Sequence, residues 1–143
     1  MVRCQEDPHF ARNEKLYRAV SPAYYHDGVI SSDAITFPDC SFDRSKYGDP
    51  NSLLRRFAAW NGWGAAALRV GDLQEPINLT DGDQMEFVVK HVPSKKNMAH
   101  TEVRCFLNGS RPATAHSTLW VVAEKKYRIE LANRLAIVVE PAG

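Results

Sequence analysis

The sequence contains few cysteines and no long apolar run, and both absences exclude classes of protein. Its three cysteines, Cys4, Cys40 and Cys105, are widely spaced and include no Cys-x-x-Cys pair. This argues against a disulfide framework and for reduced thiols in a reducing compartment. No stretch reaches the roughly 18 apolar residues typical of a membrane-spanning helix, and the opening residues lack the apolar segment of a secretory signal. We therefore predict a cytoplasmic protein with no membrane partner.

The sequence also lacks an excess of positive or negative charge, and it contains no glycine-rich phosphate-binding loop. The 18 basic and 17 acidic residues give a formal net charge of +1, so no overall field attracts nucleic acid. Neither a Gly-x-x-x-x-Gly-Lys-Ser/Thr loop nor a Gly-x-Ser-x-Gly elbow occurs, which argues against P-loop nucleotide binding and a serine-hydrolase elbow. The sequence thus disfavours nucleic acid as a partner.

The composition is that of an ordinary globular chain. At 143 residues, with 44% hydrophobic and 24% charged residues, the chain has about the length of one domain and can bury a core. Residues 1–14 are polar and mixed in charge, which is typical of a loosely held terminus. We predict a flexible segment over residues 1–14 and a single domain over residues 15–143.

Short β-branched and aromatic runs alternate with turn dipeptides along that domain. Helical spacing of apolar residues predicts helices over 50–60, after an Asp49-Pro50 start, and over 119–133. Runs typical of strands span 16–20, 29–37, 64–70 and 136–139, with a hairpin over 85–107 and a short extended piece at 77–79. This order predicts an α+β fold, with a single mixed or mainly antiparallel sheet of about five or six strands and two helices packed on one face.

Residues 38–50 show no sustained period and contain two prolines, one glycine and three aspartates. They predict a loop, and structureless stretches of about a dozen residues in compact domains are often functional. We place the candidate binding residues here and in the neighbouring turn and hairpin: Tyr25, Asp39, Phe42, Asp43, Tyr47, His91 and His100.

The run Ala99-His100-Thr101-Glu102 contains a His-x-Glu, which resembles the zinc-ligand and acid-base pair of the nucleoside deaminases. In that family the histidine holds the metal, the glutamate moves the proton, and a downstream Pro-Cys-x-x-Cys completes the zinc site. Here only Cys105 follows, and Pro38-Asp39-Cys40 lies upstream without a partner cysteine. The resemblance implies a zinc-dependent, deaminase-like enzyme as one alternative.

Arg18 in LYRAV, Ser31 and Ser32 in VISSDAITF, and Glu102 in AHTEVR occur in this order on predicted strands. The order resembles that of ADP-ribosyltransferases of the Arg, Ser, Glu type, which hold NAD with an arginine on the first strand and a serine on a later strand. A glutamate completes their site. The resemblance implies an NAD- or nucleotide-using transferase with Arg18, Ser32 and Glu102 as catalytic residues, although no Gln-x-Glu or Glu-x-Glu contains Glu102.

Four side chains of types that bind zinc lie in or after the predicted hairpin: His91, His100, Cys105 and His116. If the hairpin forms, His91 and His100 come near one another across it. Their spacings match no zinc signature, and a single histidine on a strand is more often a hydrogen-bonded structural residue. We predict no metal site, and no pattern identifies a cofactor.

Because no catalytic pattern is complete, the sequence favours a small cytoplasmic binding or accessory protein. We expect it to engage a partner protein or a small ligand through residues 38–50 and the adjacent sheet edge. The sequence is also compatible with a homo-oligomer. The transferase and the deaminase-like enzyme remain the alternatives.

Overall fold

The computed structural model describes residues 4–56, 58–112 and 118–142, and of residues 58 and 81 it describes the backbone alone. Strands and helices alternate along these ranges with short 3-10 turns between them. The strands are β1 (Lys15–Val20), β2 (Tyr25–His26), β3 (Val29–Ile30), β4 (Asp39–Arg44), β5 (Gly64–Arg69), β6 (Ile77–Asn78), β7 (Gln84–His91), β8 (His100–Leu107) and β9 (Ala136–Val139), and the helices are α1 (Pro50–Arg55) and α2 (Thr118–Arg134).

Seven of the strands form one antiparallel sheet in the order β6-β7-β8-β4-β1-β5-β9, and β2 pairs with β3 in a small separate sheet. The predicted α+β class and the β7–β8 hairpin are confirmed. The predicted number of strands is wrong, because the large sheet has seven strands and a second sheet is present. Among the described residues, no helix is both long and apolar enough to cross a membrane.

Strand register divides the large sheet into two faces. Residues paired across antiparallel strands point to the same side, and neighbours along a strand point to opposite sides. Leu16 pairs with Arg44, and we call their side the inner face. Tyr17 pairs with Asp43, which pairs in turn with His100, and we call their side the outer face.

Helix α2 covers the inner face because one side of the helix is apolar. Ala123, Tyr127 and Leu131, spaced four residues apart, are each 0% exposed. The Tyr127 ring lies 5.5 Å from the Phe37 ring and 5.6 Å from the Phe87 ring, between centroids. The main core therefore lies between α2 and the inner face.

Helix α1 lies on the outer face. Its Leu53 is buried, and Arg56, the residue after the helix, forms an ion pair with Asp43. Ala65 and Ala67, two of the outer-face residues of β5, are also buried, and their small side chains allow a helix to approach closely. The two helices thus pack on opposite faces, and the prediction that both lie on one face is wrong.

Two stretches have a different conformation from the one predicted. Residues 29–37 do not form one strand, because the Ser31 hydroxyl accepts a hydrogen bond from the Asp33 N–H (3.1 Å) and starts a 3-10 turn at Ser32–Ala34. Residues 38–50 are not a loop, because residues 39–44 form β4 between β1 and β8. The predicted start of the first helix is confirmed, since Asp49 accepts a hydrogen bond from Ser52 N–H (2.9 Å), but α1 ends at Arg55.

Residues 4–14, which we call the N-terminal arm, cross the end of the inner face around Arg44. The Arg44 guanidinium donates to both carboxylate oxygens of Glu14 (2.8 Å each) and to the carbonyl oxygens of Asp7 (2.8 Å) and His9 (2.6 Å). The Phe10 ring lies over the guanidinium, with its centroid 3.8 Å from Cζ. Arg44 is 0% exposed, and the Asp7 carboxylate lies 3.8 Å from its Nη1, so groups of the N-terminal arm compensate the buried charge.

Candidate functional site

The outer face of β4 and β8 carries a compact set of polar side chains that we call the polar face: Ser41, Asp43, His100, Glu102 and Arg104. Strand pairing places Asp43 opposite His100, and Ser41 opposite Glu102. Directly paired side chains of antiparallel strands lie about 5 Å apart at Cβ. Residues that are far apart in the sequence therefore become neighbours here.

Asp43 anchors one end of the polar face. Its side chain is only 2% exposed and forms an ion pair with Arg56, beyond α1. Its Oδ1 also accepts a hydrogen bond from the side-chain amide of Asn97 (2.8 Å), in the turn between β7 and β8. A buried carboxylate persists only when it is paired in this way, so Asp43 ties α1 and the hairpin turn to the centre of the sheet.

His100 and Ser41 form the middle of the polar face. Nδ1 of His100 lies 3.1 Å from the carbonyl oxygen of Val92, and Nε2 lies 3.3 Å from the hydroxyl oxygen of Ser41. The ring is therefore held on both sides, while the Ser41 side chain is exposed.

The charges on and around the polar face are matched in pairs. Glu102 Oε1 accepts from Nε (3.0 Å) and Nη2 (2.8 Å) of Arg104, and these two side chains are 21% and 28% exposed. Asp39, which pairs with Arg104 across β4 and β8, forms an ion pair with Arg111 at 2.6 Å. With the Asp43–Arg56 pair, three carboxylates meet three guanidinium groups, so this surface presents alternating charge and no excess of one sign.

The three residues predicted for a transferase site are not brought together. Arg18 is on the inner face, where its guanidinium donates to the carbonyl oxygens of Ala34 (3.0 and 2.8 Å) and Ser41 (2.8 Å). Ser32 lies in the 3-10 turn after β3. Glu102 is on the outer face, opposite Ser41, so the sheet separates it from the Arg18 side chain.

The predicted binding residues fall into separate groups. Asp43 and His100 belong to the polar face, and Asp39 borders it. Phe42 is buried on the inner face, at 2% exposure. Tyr25 lies in the small sheet, where its hydroxyl is 3.5 Å from Glu140.

His91 and Tyr47 belong to the contact between the N-terminal arm and the inner face. His91 Nδ1 accepts a hydrogen bond from the Asp7 N–H (2.8 Å), and Nε2 donates to the Met98 carbonyl (2.7 Å). The Tyr47 ring stacks on the imidazole at 5.3 Å, and its hydroxyl donates to the Asp7 carboxylate (2.8 Å). The Lys46 ammonium and the Tyr47 hydroxyl hold the pKa of Asp7 well below its usual range. The contacts of His91 are therefore structural. His91 pairs with Thr101, whose side chain lies on the inner face, so His91 points away from His100 on the outer face.

No group of three or more histidine, cysteine, aspartate or glutamate side chains in the described ranges is placed to hold a metal ion. His116 lies outside the described residues. Burial raises the pKa of the Cys105 thiol to about 12, and this side chain is 0% exposed on the inner face, whereas His100 and Glu102 lie on the outer face. The zinc site that a deaminase requires therefore has no counterpart around His100 and Glu102 in the described part of the chain.

Two open clefts lie elsewhere. One, of about 500 Å³, is lined by His9, Ala11, Asn13, Glu14, Ser45 and Lys46 beside the N-terminal arm. The other, of about 310 Å³, lies between α2 and the residues after β6, with Leu79, Val122, Lys125 and Ile129 among its walls. Neither cleft includes a residue of the polar face.

Sequence reasoning missed four residues that build the site: Ser41, Arg56, Asn97 and Arg104. The alternation of apolar Cys40 and Phe42 with polar Ser41 and Asp43 has the period of a strand and is a signal for β4 that ends at Arg44. Nothing local in the sequence indicates that Arg56 and Asn97 both reach Asp43.

Comparisons with known proteins yield no match: no protein-family model, no curated protein and no solved structure matches the chain.

Proposed function

We propose that the chain is a small cytoplasmic binding protein that engages a protein partner through the polar face. The observation that carries this proposal is that the inner face of the sheet is buried whereas the polar face is partly exposed. Helix α2 and the N-terminal arm bury the inner face, whereas α1 packs beside the polar face and leaves Ser41 exposed and Glu102 and Arg104 partly exposed. Side chains that are both accessible and fixed by their neighbours are preorganised for binding.

A protein surface fits the polar face better than a small molecule does. Small-molecule sites are concave and mostly apolar, and they bury most of the ligand. The two described clefts lie away from this face, and the polar face is a row of charged and hydroxyl groups on paired strands. Protein interfaces are about as polar as the rest of a protein surface and contain on the order of ten direct hydrogen bonds, and the side chains of the polar face can supply such bonds.

The pairing of charges also favours a protein over nucleic acid. Protein surfaces that bind nucleic acid present unpaired cations that neutralise phosphates. Here Arg104, Arg56 and Arg111 are each committed to a carboxylate of this chain. A partner with its own alternating charges can exchange contacts with such pairs without leaving a charge unmatched.

Site-specific photocrosslinking in cells that produce the protein tests the proposal. A photoreactive phenylalanine derivative is placed at Ser41, and a control chain carries it at Val121, which is 56% exposed on α2 behind the opposite face of the sheet. We expect a discrete adduct with one other protein from position 41 and no such adduct from position 121.

Three outcomes contradict the proposal. The first is the absence of any discrete adduct from position 41, and the second is the same adduct from both positions. The third is an adduct with a second copy of this chain, because the polar face would then be a homo-oligomer interface.

A further inference from the structure

Ser41 and His100 form a hydroxyl–imidazole pair with the elements of a nucleophile and its base. Ser41 Oγ and His100 Nε2 are 3.3 Å apart, close to the hydrogen-bond reach of a nucleophile and its base. The Ser41 side chain is exposed, so an incoming group has access to Oγ.

The hydrogen bond on the far side of the imidazole determines which nitrogen is the base. Nδ1 of His100 faces the Val92 carbonyl oxygen at 3.1 Å, and a carbonyl oxygen only accepts hydrogen bonds. Nδ1 therefore carries the proton, and in the neutral ring Nε2 directs its free electron pair toward the Ser41 hydroxyl. A base oriented by a third group is the arrangement that activates serine nucleophiles.

The surrounding strands hold this geometry. Ser41 lies in β4, with strands paired on both sides, and its carbonyl oxygen accepts a hydrogen bond from Arg18 Nη1 (2.8 Å). Arg104 is the diagonal neighbour of Ser41 on β8, beyond Glu102. Its Nε and Nη2 donate to Glu102, which pairs directly with Ser41, so this ion pair lies beside Ser41 on the same face.

We propose that Ser41 is a nucleophile for acyl transfer, with His100 as its general base and activated esters or thioesters as its substrate class. Ser41 Oγ forms a bond to the acyl carbon while its proton passes to His100 Nε2. The bond from the acyl carbon to the leaving alkoxide, phenolate or thiolate breaks, and the leaving group takes the proton from His100. Water then attacks the acyl-serine with the same imidazole as base, which releases the carboxylic acid and restores the hydroxyl.

The test uses p-nitrophenyl acetate with the full chain, following phenolate release and the acetylation of individual serines by peptide mass spectrometry. Ser52 is a matched internal control, since it is also exposed and its hydroxyl donates to the Asp49 carboxylate (3.1 Å) instead of to an imidazole. We expect acetyl transfer through Ser41 to exceed that at Ser52 by on the order of 100-fold, the usual contribution of a general base. Ser41→Ala and His100→Gln should each reduce phenolate release to the level of a Ser41→Ala/His100→Gln double variant.

Equal labelling of Ser41 and Ser52 without His100-dependent phenolate release would overturn the assignment. So would release that survives Ser41→Ala and stops in His100→Gln, because the imidazole would then attack the ester directly. Circular dichroism of each variant shows whether a loss reflects chemistry or folding, and a folded His100→Gln chain that reacts like the wild type also overturns it. The reaction of Ser41 with a small ester needs no protein partner, so failure here leaves the photocrosslinking outcome unaffected.

Discussion

Replacing Arg44 with alanine is expected to lower the free energy of unfolding by about 3 to 5 kcal/mol, the usual cost of removing one partner from a buried ion pair. Arg44 is 0% exposed, and its guanidinium holds both oxygens of Glu14 and two carbonyl oxygens of the N-terminal arm. Alanine leaves the Glu14 carboxylate buried without its cation and removes the surface on which Phe10 lies. Urea denaturation followed by circular dichroism measures the loss.

Two further variants show whether the loss of stability comes from the unpaired buried charge or from removing any arginine side chain. Arg69→Ala removes the cation of an exposed pair, whose side chains are 63% and 45% exposed, and should change stability by less than about 1 kcal/mol. The double variant Arg44→Met/Glu14→Leu removes both buried charges together and should recover most of the loss. If Arg44→Ala proves no more costly than Arg69→Ala, the N-terminal arm does not hold Arg44 in the manner described.

Replacing Tyr127 with alanine should cost about 3 to 5 kcal/mol, because a large aromatic side chain is deleted from the core. Tyr127 is 0% exposed and packs against the Phe37 and Phe87 rings, and its hydroxyl donates to the Val103 carbonyl. It thus connects α2 to the inner face through Phe87 and Val103. The measurement is again the unfolding free energy in urea.

Tyr127→Phe keeps the ring and removes only the hydroxyl, so we expect a loss of about 1 kcal/mol, the net value of one hydrogen bond. Val121→Ala shortens a side chain on the same helix that is 56% exposed and should fall within about 0.5 kcal/mol of the wild type. A Tyr127→Ala variant as stable as Val121→Ala would place α2 away from the inner face.

The sequence predicts α2 and the β7–β8 hairpin well because their periods are long and regular. Apolar residues repeat at helical spacing over about four turns, at Trp120, Ala123, Tyr127, Leu131 and Leu135. The sequence does not predict strand β4, because one of its inner-face residues is charged. These residues are Cys40, Phe42 and Arg44, and an arginine in a strand pattern normally indicates a solvent-exposed position. Its burial depends on Glu14, 30 residues away along the chain, which no local pattern contains.

The candidate site was predicted in part for the same reason. Asp43 and His100 were selected by residue type, but their proximity depends on the pairing of β4 with β8. Ser41 lies within residues 38–50, for which the sequence predicts a loop, so the sequence does not predict that Ser41 faces His100. Strand pairing over long sequence separations cannot be derived from local periodicity, and that pairing is what assembles the polar face.

The most direct test of the polar face is the affinity for the partner recovered by crosslinking, measured by calorimetry with two matched variants. Ser41→Trp places a bulky ring at the centre of the polar face, and Val121→Trp places the same ring on α2, behind the opposite face; both positions are exposed, so both chains should fold. We expect Ser41→Trp to weaken binding by on the order of 100-fold, as changes at the centre of an interface do, while Val121→Trp binds like the wild type. Wild-type affinity in a folded Ser41→Trp chain would contradict binding through the polar face.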